Sequence, residues 1–286
     1  MTRFHLPLAV LFFLAAPVWA QEADADAKTG SQAAAEKLKA EPNSADNIRG
    51  YVNGELRRIF ALADSDPDAA EKELGKLKEF LETIKPDQEN AKKLMQSALD
   101  SFPRFQQSID NARKLKTLVG KDAESLEAGK IEAWVNGEPL TDADLKGKVV
   151  FLDFWAVWCG PCIATFPHLK EWQAKYEDKG LVMVGLTRYY NYEWDDAAGR
   201  AKRSQGQVAA SDEQKMLEKF AELHELKHRF AVQGKESTLD DFYAVSGIPH
   251  VVVIDQEGKV RMIKVGSGEA NAKAIDGLLQ ELLGDK

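Results

Sequence analysis

The two cysteines of the chain are the residues whose type and spacing could do chemistry. Cys159 and Cys162 lie three positions apart in the segment Trp158-Cys-Gly-Pro-Cys162. Such a pair can form a structural disulfide or exchange disulfides with other molecules. Closing a loop of about four residues stabilises a fold by only about 2 kcal/mol, against about 4.7 kcal/mol for a loop of about 100 residues. The short loop therefore favours redox chemistry over a structural bridge.

The residues around the pair predict how each cysteine would act. A nearly continuous apolar run over 149–156 is typical of a strand buried on both faces, and residues 161–176 have the apolar spacing of a helix. Cys159 would then lie at the helix N-terminus, where free amides and the helix dipole favour a thiolate. Pro161 in the first turn loses no hydrogen bond, and Cys162 lies one turn further, within reach to resolve a mixed disulfide.

In these residues the chain resembles the thioredoxin superfamily, and within it the exported TlpA/ResA-like branch. The resemblance is carried by residues 151–162, FLDFWAVWCGPC, and extends to two later segments. Gly247-Ile248-Pro249 falls where that family has a cis-proline, and residues 254–259, IDQEGK, fall at a hairpin turn. It covers about residues 131–286.

The resemblance implies a thiol-disulfide oxidoreductase that uses no cofactor beyond the redox-active disulfide. It implies that Cys159 is the attacking nucleophile and Cys162 the resolving thiol, while Pro249 packs against the disulfide and shapes the substrate groove. The remaining residues assigned to the groove or to tuning of the thiols are Trp158, Gly160, Pro161, Ile248 and His250.

Two polar residues near the site have alternative interpretations. Asp153 interrupts an apolar run, where a carboxylate is costly, and the matching acid in thioredoxins accepts the proton of the resolving thiol. It could instead reach solvent or cap a turn, and thioredoxin's nearby lysine is replaced here by Gly185. His250 stands where thioredoxins usually have threonine; it could tune the Cys159 thiolate or be a plain surface histidine.

The elements that must position these residues divide the 286-residue chain into four segments. Residues 1–20 have the charge, apolar core and small residues of a secretory signal peptide, and their apolar run is too short to span a bilayer. Residues 21–48 are Ala-rich and predict a flexible lead-in. Residues 49–125 predict a helical region of unknown role, and 126–286 predict an α/β thioredoxin-like domain, with a mixed sheet flanked by helices.

Charge and composition exclude several partners. The net charge is −8 and no dense basic run is present, which argues against binding nucleic acid or an anionic membrane surface. The signal peptide predicts secretion across the inner membrane into the periplasm, with no transmembrane span in the mature chain. Protein thiols and disulfides are the expected substrates, with a membrane thiol carrier as the electron donor.

Other functions remain as alternatives. The Gly-Pro dipeptide is that of thioredoxin, which has a reduction potential of about −270 mV, and not that of the oxidant DsbA, at about −120 mV. The dipeptide therefore favours a reductase over an oxidase or isomerase. A copper or zinc carrier could use the Cys pair and His250, although copper-delivery relatives space their cysteines by three residues. His224-Glu-Leu-Lys-His228 matches a metalloprotease pattern, but Lys227 and the missing third ligand argue against a metal site there.

Two segments are left without an assigned role. An insertion at 188–210 carries four aromatic residues near the sheet edge that bears Cys159, where they could receive a partner polypeptide or fold back and be buried. The helical region could itself be the working part, with the redox domain an accessory. The aromatic residues are Tyr189, Tyr190, Tyr192 and Trp194.

Overall fold

The computed structural model describes residues 30–63 and 65–284, which fall into two compact units divided between Asp110 and Asn111. The predicted signal peptide at 1–20, and residues 21–29 of the predicted lead-in, lie outside the described residues. No helix among the described residues is long and apolar enough to cross a membrane.

The first unit is helical, as predicted. Its helices are α1 at residues 30–40, α2 Ala45–Ala63, α3 Pro67–Thr83, α4 Glu89–Asp100 and the start of α5 Phe102–Leu118. Asp66 caps α3 by accepting a hydrogen bond from the amide of Ala69 at 3.0 Å. The apolar face of α3 is buried, with Leu81 fully inaccessible.

Helix α1 corrects the expectation of a flexible lead-in for residues 30–40. This stretch is rich in Ala, Glu and Lys, all good helix formers, and Leu38 is fully buried. The apolar anchor and the high helix propensity together order a segment that composition alone assigns to a linker.

The second unit is built on a six-stranded mixed sheet, which confirms the predicted fold class. The strands are β1 Ile131–Val135, β2 Val149–Phe154, β3 Leu181–Thr187, β6 Arg229–Gln233, β7 His250–Ile254 and β8 Val260–Val265. Their order in the sheet is β1-β6-β3-β2-β7-β8. Strand β3 is parallel to β2 and β6, whereas β7 is antiparallel to both β2 and β8, and β1 is antiparallel to β6.

Helices cover both faces of this sheet. Three long helices, α7 Gly160–Tyr176, α8 Ala210–Leu223 and α10 Glu269–Leu283, contribute buried residues to the core on one face. The short helix α9 Leu239–Phe242 and the turn Leu126–Gly129 contribute to the core on the other. A further short helix, α6 Asp142–Leu145, precedes β2. All six residues of β2 are buried, which is why its sequence is an unbroken apolar run apart from Asp153.

The hairpin of β7 and β8 forms as predicted. Asp255 accepts hydrogen bonds from the amides of Glu257 at 3.0 Å and Lys259 at 2.9 Å. Gly258 takes a φ of 79°, in the left-handed region where glycine has no steric penalty. The turn residues therefore set the short antiparallel connection.

The structure differs from the predicted elements at several places. Strands β1 and β6 were not predicted, and the insertion contains an antiparallel hairpin, β4 Tyr192–Asp195 with β5 Arg200–Arg203. The apolar spacing of residues 213–226 predicts a helix there, but α8 ends at Leu223. The chain turns there because Glu225 adopts a φ of 55°, which a helix cannot continue.

Candidate functional site

The cysteine pair lies where β2 passes into α7. Cys159 and Cys162 form a disulfide with their Cα atoms 5.2 Å apart, and both residues are buried. Cys159 is the N-cap of α7, and the amide of Cys162 donates a hydrogen bond to its sulfur at 3.1 Å. After reduction, a backbone amide aimed at this sulfur would stabilise the thiolate over the thiol.

Pro161 and the loop around Pro249 frame the pair. Pro161 lies in the first turn of α7, as predicted. The Ile248–Pro249 peptide bond is cis, and Ile248 packs against the core cluster that contains both cysteines. The carbonyl of Pro249 accepts a hydrogen bond from the amide of Gly266 at 2.7 Å, which ties this loop to the end of β8.

An open pocket of about 260 Å³ lies beside Pro249, between α7, the β7–β8 hairpin and α10. Its wall includes Thr165, whose hydroxyl donates to the carbonyl of Cys162 at 2.7 Å, so the pocket begins within one turn of the disulfide. Trp172 and Leu169 contribute apolar surface to it. The cis-proline thus lines a surface depression, next to the α7 turn that follows the disulfide, that can receive part of a ligand.

Asp153 is buried without a partner. Its side chain is on β2 with Phe151, on the face covered by α7, because side chains alternate along a strand. The residue is 2% exposed, neither carboxyl oxygen has a hydrogen-bond partner, and burial raises the pKa of the carboxyl to about 7. The alternatives of a solvent-exposed or capping aspartate are therefore wrong. A carboxyl in this state can take up and release a proton near neutral pH.

The lysine position of thioredoxin is filled here by aromatic side chains. Gly185 is paired with Asp153 in the sheet, as expected from the resemblance to thioredoxin. A Cβ atom added to Gly185 would lie 2.7 Å from Nε1 of Trp155 and 2.9 Å from Cδ1 of Phe230. Because Trp155 and Phe230 occupy this space, no side chain fits at position 185 without displacing them.

The two tryptophans of the motif have different environments. Trp155 is 1% exposed and stacks on Phe220 with ring centroids 5.3 Å apart. Trp158 is 51% exposed and meets Tyr190 edge to face at 5.6 Å. Trp158 therefore offers an apolar surface beside Cys159, and Gly160, on the other side of that cysteine, is exposed as well.

His250 is not the surface histidine that was one of its two interpretations. It is fully buried on β7, edge-on to Phe154 at 5.5 Å. By strand alternation it lies with Phe154 and Val252 on the sheet face opposite α7, and burial lowers the pKa of its imidazole to about 4. A neutral ring on that face supplies no positive charge to stabilise the Cys159 thiolate.

The charged and aromatic side chains of the His224–His228 segment have other partners in the fold. Glu225 is paired with Lys170 at 2.9 Å, and His228 is buried against Phe230, with its pKa lowered to about 4 by burial. The segment begins at the C-cap of α8 and turns into β6. Within residues 30–63 and 65–284, no group of three or more His, Cys, Asp or Glu side chains could hold a metal ion.

The insertion is ordered by a residue that the sequence analysis did not single out. Its four aromatic side chains are partly buried against the core on the α7 face, which favours the folded-back interpretation. Glu213, in the first turn of α8, is 2% exposed and accepts hydrogen bonds from three successive backbone amides of residues 190–192. From the sequence alone, a buried acid with this role cannot be distinguished from an exposed acid in the first turn of a helix.

Comparisons with known proteins agree with this geometry. A family model described as Redoxin matches residues 100–279. Thiol-disulfide oxidoreductase ResA of a Bacillus cereus strain is 28% identical over 171 residues, which cover 60% of this chain and 82% of that protein. Thioredoxin-like protein YneN of Bacillus subtilis is 31% identical over 134 residues, which cover 46% of this chain and 65% of that protein.

Solved structures are also similar to part of the chain. One is described as a putative thiol:disulfide interchange protein DsbE from Chlorobium tepidum. It is 28% identical, covers 58% of this chain and 98% of its own, and aligns with a TM-score of 0.42.

Proposed function

The chain belongs to the Redoxin family, as a TlpA/ResA-like member of the thioredoxin superfamily and a thiol-disulfide oxidoreductase, and from this premise we propose that it reduces disulfides of extracytoplasmic proteins. The observation that carries the proposal is the Cys159–Cys162 disulfide at the N-terminus of α7, bordered by a cis-proline loop and an exposed tryptophan.

The reaction follows from the position of each sulfur. In the reduced protein the Cys159 thiolate attacks one sulfur of a substrate disulfide, which forms a mixed disulfide and releases the first substrate thiolate. The Cys162 sulfur then attacks Cys159, which closes the internal disulfide and releases the second substrate thiolate. Two electrons pass from the dithiol to the substrate, and no bound cofactor takes part.

Asp153 would act in the second step. Cys162 must lose a proton before it attacks, and a buried carboxylate with a pKa of about 7 is matched to accept it near neutral pH. Burial is the cause of this pKa, so the acid needs no neighbouring charge to reach it. Its place on the α7 face of β2 supports the assignment.

The direction of electron flow rests on the motif. The Gly-Pro dipeptide supports a reductant, and the predicted signal peptide supports export to the periplasm. In that compartment the oxidised protein would be re-reduced by a thiol carrier in the membrane. The substrate groove would run past Trp158, Gly160 and Pro161 on one side and Ile248 and Pro249 on the other.

An equilibrium redox titration against dithiothreitol tests this function. The mature protein is equilibrated at defined potentials and its thiols are trapped, with Cys162→Ser as the control that cannot close the disulfide. A reversible two-electron transition near about −270 mV supports a reductase, and a value above about −200 mV would make it an oxidant or isomerase. Absence of a reversible transition, with metal retained by the reduced protein, would replace the proposal by a metal carrier.

A further inference from the structure

Glu213 is a buried acid whose hydrogen bonds all go to one short segment of the insertion. Its Oε1 accepts from the amides of Tyr190 at 2.5 Å and Tyr192 at 3.2 Å, and its Oε2 accepts from the amide of Asn191 at 3.0 Å. Burying a carboxylate is costly unless it is well hydrogen-bonded. Three charge-assisted bonds meet this requirement and fix the backbone of all three residues.

Asn191 holds the same segment from its other side. It adopts a φ of 65°, which asparagine tolerates better than most residues. Its side chain donates to the carbonyl of Gly206 at 2.6 Å and accepts from the amide of Val208 at 2.8 Å. Both ends of the insertion are therefore joined at residues 190–192, so the backbone there has little freedom.

The fixed backbone places one aromatic ring beside the redox pair. Tyr190 meets Trp158 edge to face with centroids 5.6 Å apart, a geometry that aromatic pairs favour. Trp158 directly precedes Cys159 and is half exposed. This aromatic pair therefore lies next to the sulfur that a polypeptide substrate would be joined to.

We infer that Glu213 is a positioning residue, which holds Tyr190 against Trp158 as one wall of the groove for polypeptide substrates. This inference rests on the proposed function and adds a substrate preference to it. Rigid aromatic side chains provide large contact areas at low entropic cost, which suits contacts with the residues that flank a protein disulfide. A small disulfide lacks these flanking residues and gains nothing from the wall.

The test compares two substrates in three variants. Glu213→Gln replaces one acceptor oxygen by an NH₂ group that faces amide donors, so the segment loses its anchor. Glu218→Gln, at an exposed position on the same helix, is the matched control. Tyr190→Ala removes the ring but keeps the backbone amides that Glu213 binds. Steady-state reduction of insulin, driven by dithiothreitol, is measured beside the reaction of each reduced protein with the small disulfide cystamine.

We expect Glu213→Gln and Tyr190→Ala to raise KM for insulin by about fivefold or more, the usual size of a significant interface contact. The kcat for insulin and the rate with cystamine should stay within about twofold of the wild type, and Glu218→Gln should match the wild type in every measurement. Unchanged KM in both variants, or equal losses with insulin and cystamine, would overturn the inference. If the wild-type protein itself fails to reduce insulin, the proposed function fails instead.

Discussion

Asp153 should lower the stability of the fold as pH rises, and Asp153→Asn should remove this loss. The carboxyl has a pKa of 3.8 in a model peptide and about 7 in the fold. Because the folded-state pKa is the higher one, the unfolded chain releases its proton first, and stability falls as pH rises from about 4 to about 7. At about 1.36 kcal/mol for each pKa unit, the full cost above pH 7 is about 4 kcal/mol. Asparagine has no proton to lose and avoids this cost.

Urea unfolding of the oxidised protein at pH 4, 6 and 8 measures the effect. The free energy of unfolding of Asp153→Asn, minus that of the wild type, should increase with pH. Relative to its value below the model-peptide pKa, this difference should have grown by less than about 1 kcal/mol at pH 4 and by about 4 kcal/mol at pH 8. The unpaired asparagine amide adds an offset that does not depend on pH, so the change with pH is the decisive quantity. Asp178→Asn, at an exposed position, controls for removal of one carboxylate. A stability difference that is constant between pH 4 and 8 would refute the reasoning.

The same variant tests the catalytic role of the acid. If Asp153 accepts the proton of Cys162, Asp153→Asn should slow release of the substrate from the mixed disulfide by about 10²-fold at pH 7, a common size for general-base catalysis. Attack by Cys159 should be unaffected. Stopped-flow measurement of the two thiolate releases separates these steps, and equal release rates in both proteins would remove the role.

Three further predictions concern the surroundings of the site. Gly185→Ala should destabilise the protein by about 1–3 kcal/mol in urea unfolding, because the added Cβ has no room. Gly50→Ala, on an open helix surface, is the control and should stabilise the protein by up to about 1 kcal/mol. Equal effects of the two substitutions would contradict the packing argument. The pKa of His250 is lower in the folded state than in the unfolded chain, so the stability should fall as pH drops from about 6.5 to about 4. His250→Thr should remove this loss of about 3 kcal/mol. The pKa of Cys159, measured by thiol titration, should not change. A shifted thiol pKa would restore a tuning role for the histidine. Asn136→Ala removes two hydrogen bonds of 2.8 Å to the carbonyls between α8 and β6, and should cost about 1–3 kcal/mol in thermal unfolding; an unchanged midpoint would show that water replaces them.

The sequence predicted those elements whose pattern is set by burial alone. Strand β2 is an apolar run, interrupted only by Asp153, because both of its faces are covered, and α7 and α10 carry apolar residues at helical spacing. The turn at Asp255 and Gly258 has its own chemical signature. Within these elements the predicted cysteines, cis-proline and buried aspartate all lie where the resemblance places them.

The missed elements lack such a pattern. Strand β1 is an edge strand of mixed burial, and β6 has only five residues that follow the charged segment His224–His228. They are strands because β1 pairs with β6 and β6 pairs with β3, and these partners are far apart in the sequence. The hairpin of the insertion depends in the same way on a distant acid, Glu213.

The sequence also did not predict which face of the sheet His250 lies on. His250 directly follows the cis-proline, and closeness in sequence suggested closeness to the thiols. The pairing of His250 with Phe154 instead sends its ring to the face away from α7. A shift of one residue would have reversed this outcome, because strand side chains alternate with a period of two.

Sheet register also explains how this site differs from the thioredoxin pattern. Asp153 lies in a row with Val251, then Lys264, on one side and Gly185, then Phe230, on the other, so neither of its direct neighbours in the row is basic. Trp155 fills the space above Gly185, which excludes a lysine. The pKa of the acid is therefore set by burial and not by a paired cation. The rate of the proposed resolving step should accordingly follow the titration of a single carboxyl near pH 7, and should be insensitive to salt, since no exposed charge pair contributes to it.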